Sequence, residues 1–166
     1  MMPLMLGVML TTSTMPQVGQ VAPNLHAMST SDKVITLSEL KGSWVVLYFY
    51  PKAFTPGCTK EACSLRDGYF GIQKLGAVIL GVSFDKIATL KKFKAEYHLP
   101  FELLSDSDKR IAKAYDVVGL LGLYAKRKTF IIDPDGKIAF VFDSVDSAHH
   151  NAEVTEKLKA LVAAWQ

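Results

Sequence analysis

The stretch "WVVLYFYPKAFTPGCTKEACSLRD", residues 44–67, decides how this chain is read. Its first seven residues are continuously apolar, β-branched or aromatic, the pattern of a strand buried on both faces. Pro51 ends that run. A helix is predicted to begin near Cys58, so the carboxyl end of a buried strand meets the amino end of a helix. Open α/β sheets bind their ligands at such a junction. Both cysteines of the chain, Cys58 and Cys63, lie here, five residues apart.

Working outward, "LSELKG" (37–42) reads as a short helical turn closed by Gly42. Ala62, Leu65, Tyr69, Ile72 and Leu75 recur at three or four residues and predict a helix over 59–75, stopped by Gly76. "AVILGVSFD" (77–85) is a second buried strand. Residues 86–99 form an amphipathic helix with Leu90, Phe93 and Tyr97 on one face. "FELLSD" (101–106) is a short strand and "KRIAKAYDV" (109–117) a helix. "KTFIIDPDGKIAFVFD" (128–143) is a hairpin turning at Asp133–Gly136. A last helix from about Ala152 carries Val154, Leu158, Leu161 and Trp165 at helical spacing. Strands alternating with helices, then a hairpin and a closing helix, give an α/β chain with a mixed central sheet flanked by helices. That order fits a thioredoxin-like fold.

The length of 166 residues suits one domain with a core that needs no crosslinks, and 49% hydrophobic against 21% charged residues is a globular balance. A net charge of +3 without a basic run leaves no electrostatic case for nucleic acid. Residues 1–14 read as a disordered or mis-started tail before a single domain over 15–166. The apolar run from Met1 to Leu10 is too short to span a bilayer and lacks a signal peptide's positive start. Export or membrane association through that run is the alternative to a cytoplasmic protein with no membrane contact.

Cys58 falls in the first helical turn, beside unpaired backbone N–H groups and the positive end of the helix dipole, which favour thiolate over thiol. Pro56 rigidifies the entry, Gly57 admits close approach of a small substrate, and the Thr55 hydroxyl can donate or accept. On an intact helix a spacing of five separates the two Cα atoms by about 8.6 Å. A disulfide needs less than about 7 Å, so a standing bond is excluded there. The first turn is polar at Thr59, Lys60 and Glu61, so its opening is expected to expose little apolar surface.

Pro51-x-x-x-Thr55-x-x-Cys58 resembles the active-site signature of peroxiredoxins, and "TPGCTKEAC" is close to the peroxiredoxin Q, or bacterioferritin comigratory protein, group. The resemblance runs from about Met15 onward and takes in "GVSFD" (81–85), "LLSDSD" (103–108) and "RKTFIIDPDGKI" (127–138). It implies thiol-dependent reduction of hydrogen peroxide and organic hydroperoxides without metal, haem or other cofactor. It implies Cys58 as the peroxidatic cysteine and Cys63 as the resolving one, joined in an intramolecular disulfide that a thioredoxin or similar thiol reductant resets. It further implies Arg127 as the cation that holds thiolate and peroxide, Glu61 as the acid that holds Arg127, Thr55 as a peroxide contact, and a monomer. Ala53-Phe54 departs from the polar residues usual before Thr-Pro in this group. An apolar rim at Phe54 would favour alkyl hydroperoxides.

Plainer readings stand beside these. Cys63 could simply face the core, Arg127 could be one surface charge among Lys126 and Lys128, and Glu61 could be an ordinary first-turn acid. His149-His150 reads as a solvated pair, Lys91-Lys92 as a solvated helix face, and Trp44 and Trp165 as packing. A copper-binding domain and a protein thiol–disulfide oxidoreductase are the rival functions. The first lacks a suitable cysteine spacing. The second lacks C-x-x-C and leaves Thr55 and Arg127 without a role.

Overall fold

A computed structural model of the protein describes residues 14–165. The expectations for the apolar run before Thr14 lie outside the described residues. The elements run β1 (His26–Met28), β2 (Val34–Thr36), a 3-10 turn (Leu37–Leu40), β3 (Trp44–Phe49), α1 (Pro56–Asp67), α2 (Tyr69–Lys74), β4 (Ala77–Ser83), α3 (Ile87–Glu96), β5 (Glu102–Ser105), α4 (Arg110–Ala114), β6 (Lys128–Ile132), β7 (Ile138–Phe142) and α5 (His150–Ala164). Five strands form one sheet in the order β5-β4-β3-β6-β7. β3 pairs in parallel with β4, and β4 with β5, while β3–β6 and β6–β7 are antiparallel.

Strand β3 is central and buried along its whole length. Its side chains alternate between two cores. Trp44, Val46 and Tyr48, with Tyr50 beyond the strand end, face Cys58, Ala62 and Leu65 of α1, Leu90 and Phe93 of α3, and Val154 and Leu158 of α5. Val45, Leu47 and Phe49 face Ile111, Ala112, Tyr115, Leu25 and Leu37 on the other side. Helices on both faces are why the run shows no polar alternation. The hairpin turns as expected, with the Gly136 N–H donating to the Asp133 carbonyl and Gly136 at a φ of 85°. Trp165 packs edge-on against Trp44 at 5.5 Å.

Three expectations need correction. The helix over 59–75 is two helices, starting at Pro56 and broken at Gly68. A Cβ at Gly68 would lie 2.7 Å from Asn151 Cβ, so the break lets α5 press against the chain there. Ser64 Oγ accepts from the Asn151 N–H at 3.0 Å and fastens the start of α5 to α1. The last helix begins at His150 rather than Ala152. His150 itself is fully buried rather than solvated, while the side chain of His149 is 75% exposed. The short β1–β2 ribbon was not expected at all; three-residue strands are too brief for a period of two to register.

Candidate active site

Strand β3 delivers the chain to a tight loop, Pro51–Thr55, and α1 starts directly after it. Phe54 sits in the left-handed region at a φ of 68°, a costly conformation for an aromatic residue. Two contacts hold it there. The Ala53 N–H donates to Asp85 Oδ2 at 2.8 Å, and that oxygen also accepts from Ser83 Oγ at 2.7 Å. The Phe54 ring stacks obliquely on Phe93 at 5.1 Å and stays 40% exposed. The "GVSFD" segment thus shapes the loop before Cys58.

Thr55 is the residue before the first helical turn, and Pro56 opens that turn, where its missing N–H costs nothing. Thr55 Oγ1 donates to the Lys52 carbonyl at 2.6 Å. The hydroxyl proton is thereby committed, and its lone pairs remain to accept from a bound O–H. Cys58 lies in the first turn and is 1% exposed.

Arg127 is not a surface charge. It precedes β6, and on that strand Thr129 and Ile131 follow at alternate positions on the side facing α1. Its Nη2 lies 3.3 Å from Cys58 Sγ and donates to it, while Nη1 donates to Glu61 Oε1 at 2.8 Å. One planar fork therefore links the sulfur to the carboxylate. A Cβ on Gly57 would sit 3.1 Å from Arg127 Nη2. The close approach that Gly57 permits is therefore that of the guanidinium.

Glu61 is fully buried and is no ordinary first-turn acid. Burial pushes its carboxyl up to about 7, against the opposing pull of Arg127. Its Oε2 has no hydrogen-bond partner. His150 Nε2 lies 3.9 Å from that oxygen. Nε2 is bonded to Thr129 Oγ1 at 2.9 Å, and Nδ1 to Glu153 Oε1 at 3.0 Å. Burial holds the imidazole below its ordinary basicity, against the pull of Glu153. Tyr48 and Tyr50 stack at 5.3 Å behind Cys58, and both hydroxyls are buried without partners. Gly81 makes room for Tyr48: a Cβ there would lie 2.8 Å from its ring.

Cys63 is half-buried on the same unbroken α1, and both thiols are free. The expectation that the first turns of α1 open at little cost needs revision, because Glu61, Ala62 and Leu65 are wholly buried. Of the residues singled out in the sequence, Thr55, Gly57, Cys58, Glu61 and Arg127 converge at one place. Pro51 ends the strand, and Cys63 lies further along the helix. Sequence reasoning missed Tyr48, Tyr50, Thr129 and His150. For the tyrosines the signal was available, since even-numbered positions of the strand share the face of Trp44. Among the described residues no group of three or more His, Cys, Asp or Glu could hold a metal ion. No described helix is long and apolar enough to cross a membrane.

Residues 18–141 match the family model described as the AhpC/TSA family. Peroxiredoxin Bcp of Bacillus subtilis is 41% identical over 149 residues, covering 86% of this chain and 95% of that protein. The solved structure of peroxidoxin BcpB from Mycobacterium tuberculosis superposes with a TM-score of 0.80 at 34% identity, over 91% of this chain and 99% of that one. A Xanthomonas campestris bacterioferritin comigratory protein, described for its alkyl peroxide reduction activity, gives a TM-score of 0.79 at 34% identity, over 83% and 92%. A thioredoxin-like sheet, a thiol at a helix start under a guanidinium, and these likenesses over most of the chain have one explanation: the protein belongs to the AhpC/TSA family, as a thiol-dependent peroxidase of the Bcp and peroxiredoxin Q group.

Proposed function

We propose that Cys58 is the peroxidatic cysteine, that Cys63 resolves it, and that hydrogen peroxide and organic hydroperoxides are the substrates. The observation that carries this reading is the Arg127 fork, 3.3 Å from Cys58 Sγ. The Arg127 charge and the first-turn N–H groups stand beside the sulfur that must carry the negative charge in the attack. Its sulfur attacks one peroxide oxygen; the S–O bond forms as the O–O bond breaks, and sulfur loses the two electrons that the peroxide gains. The departing hydroxide or alkoxide takes up a proton. Arg127 and the N–H groups at the start of α1 are donors in place before charge develops on the departing oxygen, the arrangement that contributes most to catalysis of this kind. Thr55 accepts from the peroxide O–H.

The sulfenic acid is uncharged, so Arg127 loses one of its two anionic partners and α1 one of its anchors. Opening of the first turns then brings Cys63 to Cys58. The Cys63 thiolate attacks the sulfenic sulfur, an S–S bond forms, and the hydroxyl leaves as water. Arg66, three residues beyond Cys63, lies within electrostatic range of it. An external dithiol of thioredoxin type reduces the disulfide. The exposed Phe54 ring supports a substrate range that includes alkyl hydroperoxides, as for the Xanthomonas protein. The protein is read as a monomer throughout this cycle.

Mass spectrometry after one equivalent of peroxide tests the scheme. A Cys58–Cys63 link within one chain is expected, and Cys58→Ser should consume no peroxide. A mixed disulfide between chains, or turnover retained without Cys58, refutes it.

A further inference from the structure

Behind the Arg127 fork lie two buried groups that the scheme above does not use: the free oxygen of Glu61 and the imidazole of His150. Glu61 Oε2 is without a partner, and His150 Nε2, bonded only to Thr129, stands 3.9 Å away, less than an ångström beyond hydrogen-bond reach. We propose that His150 is a positioning residue of the peroxidatic centre and that Glu61 and His150 together hold one proton, on Oε2 or on Nε2, while Cys58 is a thiolate. This inference rests on Cys58 and Arg127 having the roles given above.

Charge balance carries the argument. With Cys58 as thiol, Arg127 and an ionised Glu61 cancel; Glu153, whose side chain is 32% exposed, is met by solvent and stands outside this balance. If Cys58 ionises and nothing else changes, the buried cluster gains an uncompensated negative charge, which is costly away from water. If the pair takes up a proton as the Sγ–H proton leaves, the cluster stays neutral. Thiolate and held proton therefore stabilise each other.

The surroundings suit such a pair. His150 faces Glu61 from α1, Arg127 and Thr129 from β6, Glu153 from its own helix and Asp146 from the preceding turn. From β7 it meets only the uncharged Phe142 ring, at 5.3 Å. Glu153 accepts from Nδ1–H and fixes the ring, since a carboxylate can only accept. Thr129 can donate to a bare Nε2 or accept from a protonated one, so Nε2 is satisfied in both states. The raised ionisation of Glu61 agrees with a site that retains a proton near neutrality.

The test follows the His150 ring nitrogens and the Glu61 carboxyl carbon by NMR from pH 5 to pH 9. The reduced protein is compared with Cys58→Ser, which leaves both residues in place. The pair should lose its proton at a pH lower by about one unit in Cys58→Ser, the effect of removing one neighbouring charge. Equal midpoints overturn the proposal. In a second arm, Cys63→Ser confines the ultraviolet thiolate signal to Cys58. There His150→Phe keeps a ring against Phe142 but no nitrogen. The pH of half-ionisation of Cys58 should rise by about half a unit, roughly a threefold loss of thiolate below the midpoint. His150→Gln, whose amide oxygen can accept the Oε2 proton, should restore it. A histidine that only packs would change the melting temperature and leave the midpoint where it was. Peroxide reduction surviving Cys58→Ser overturns the roles of Cys58 and Arg127; loss of activity with unmoved midpoints overturns only the pair.

Discussion

Glu61→Gln offers a sharp test of how the core holds the site. The wild-type carboxyl is fully buried, its Oε1 is 2.8 Å from Arg127 Nη1, and burial raises it from an ordinary 4.5 to about 7. A carboxyl that binds its proton more tightly folded than unfolded adds stability at low pH. That contribution is fully present below about 4.5 and is lost as pH rises through 7. At about 1.4 kcal/mol per pH unit the whole interval is worth roughly 3 kcal/mol. About 2 kcal/mol of it should fall between pH 5 and pH 8. Glutamine keeps the shape and an acceptor for Arg127 but does not titrate. Denaturant unfolding of the reduced proteins at the two pH values should therefore show the variant gaining about 2 kcal/mol relative to wild type at pH 8. In melting temperature that is about 4–8 °C for a chain of this size. Titrating groups other than Cys58 and His150, which face Glu61, are common to both proteins and cancel to first order. Stability curves that stay parallel from pH 5 to pH 8 would refute the reasoning, because Glu61 would then ionise as an exposed acid does.

Arg127→Met removes charge and fork from Cys58, and stopped-flow measurement of the first oxidation should show a loss of about 10²-fold or more; an unchanged rate places Arg127 outside the chemistry. Gly57→Ala puts a methyl 3.1 Å from Nη2, so the guanidinium must shift. About a tenfold slower oxidation is expected, with a circular dichroism spectrum like that of the wild type. Cys63→Ser should stall as sulfenic acid, overoxidise in excess peroxide and retain its helical signal, whereas oxidised wild type should lose helix and amide protection between Gly57 and Leu65. Full protection in the oxidised wild type would remove Cys63 from the resolving role.

The parts of the fold legible in the sequence are those set by local pattern. The run Trp44–Tyr50 could be nothing but a doubly covered strand, and Thr55-Pro56-Gly57 announces a helix start. The Gly68 break was missed: "RDGYF" puts a glycine inside an otherwise periodic segment, but the periodicity alone predicted one continuous helix. Other features depend on distant chain. Arg127 is 69 positions from Cys58, and only the resemblance pointed to it. His150 looks like a solvated partner of His149 until α1, β6 and β7 enclose it, which no local pattern encodes. Glu61 was legible as a partner of Arg127, but its burial was not. A first-turn acid among Thr59 and Lys60 reads as solvent-facing, and the helix instead turns that position into the core.

That misreading bears on turnover. Glu61 anchors Arg127, and through Arg127 it fastens the first two turns of α1 to β6. In the proposed cycle the first chemical step gains from a rigid fork aimed at Cys58. The second requires those turns to come away, since intact helix geometry keeps the two Cα atoms about 8.6 Å apart. One ion pair therefore helps oxidation and opposes resolution. The opposition is relieved in sequence: oxidation removes the charge on Cys58 and leaves the carboxylate as the remaining anionic tie on Arg127. Weakening that tie in Glu61→Gln should slow sulfenic acid formation and speed its conversion to the disulfide. Rapid-mixing kinetics resolve the two phases separately. If both slow together, α1 is not held shut by this pair, and the docking of Asn151 on Ser64 becomes the contact that must break.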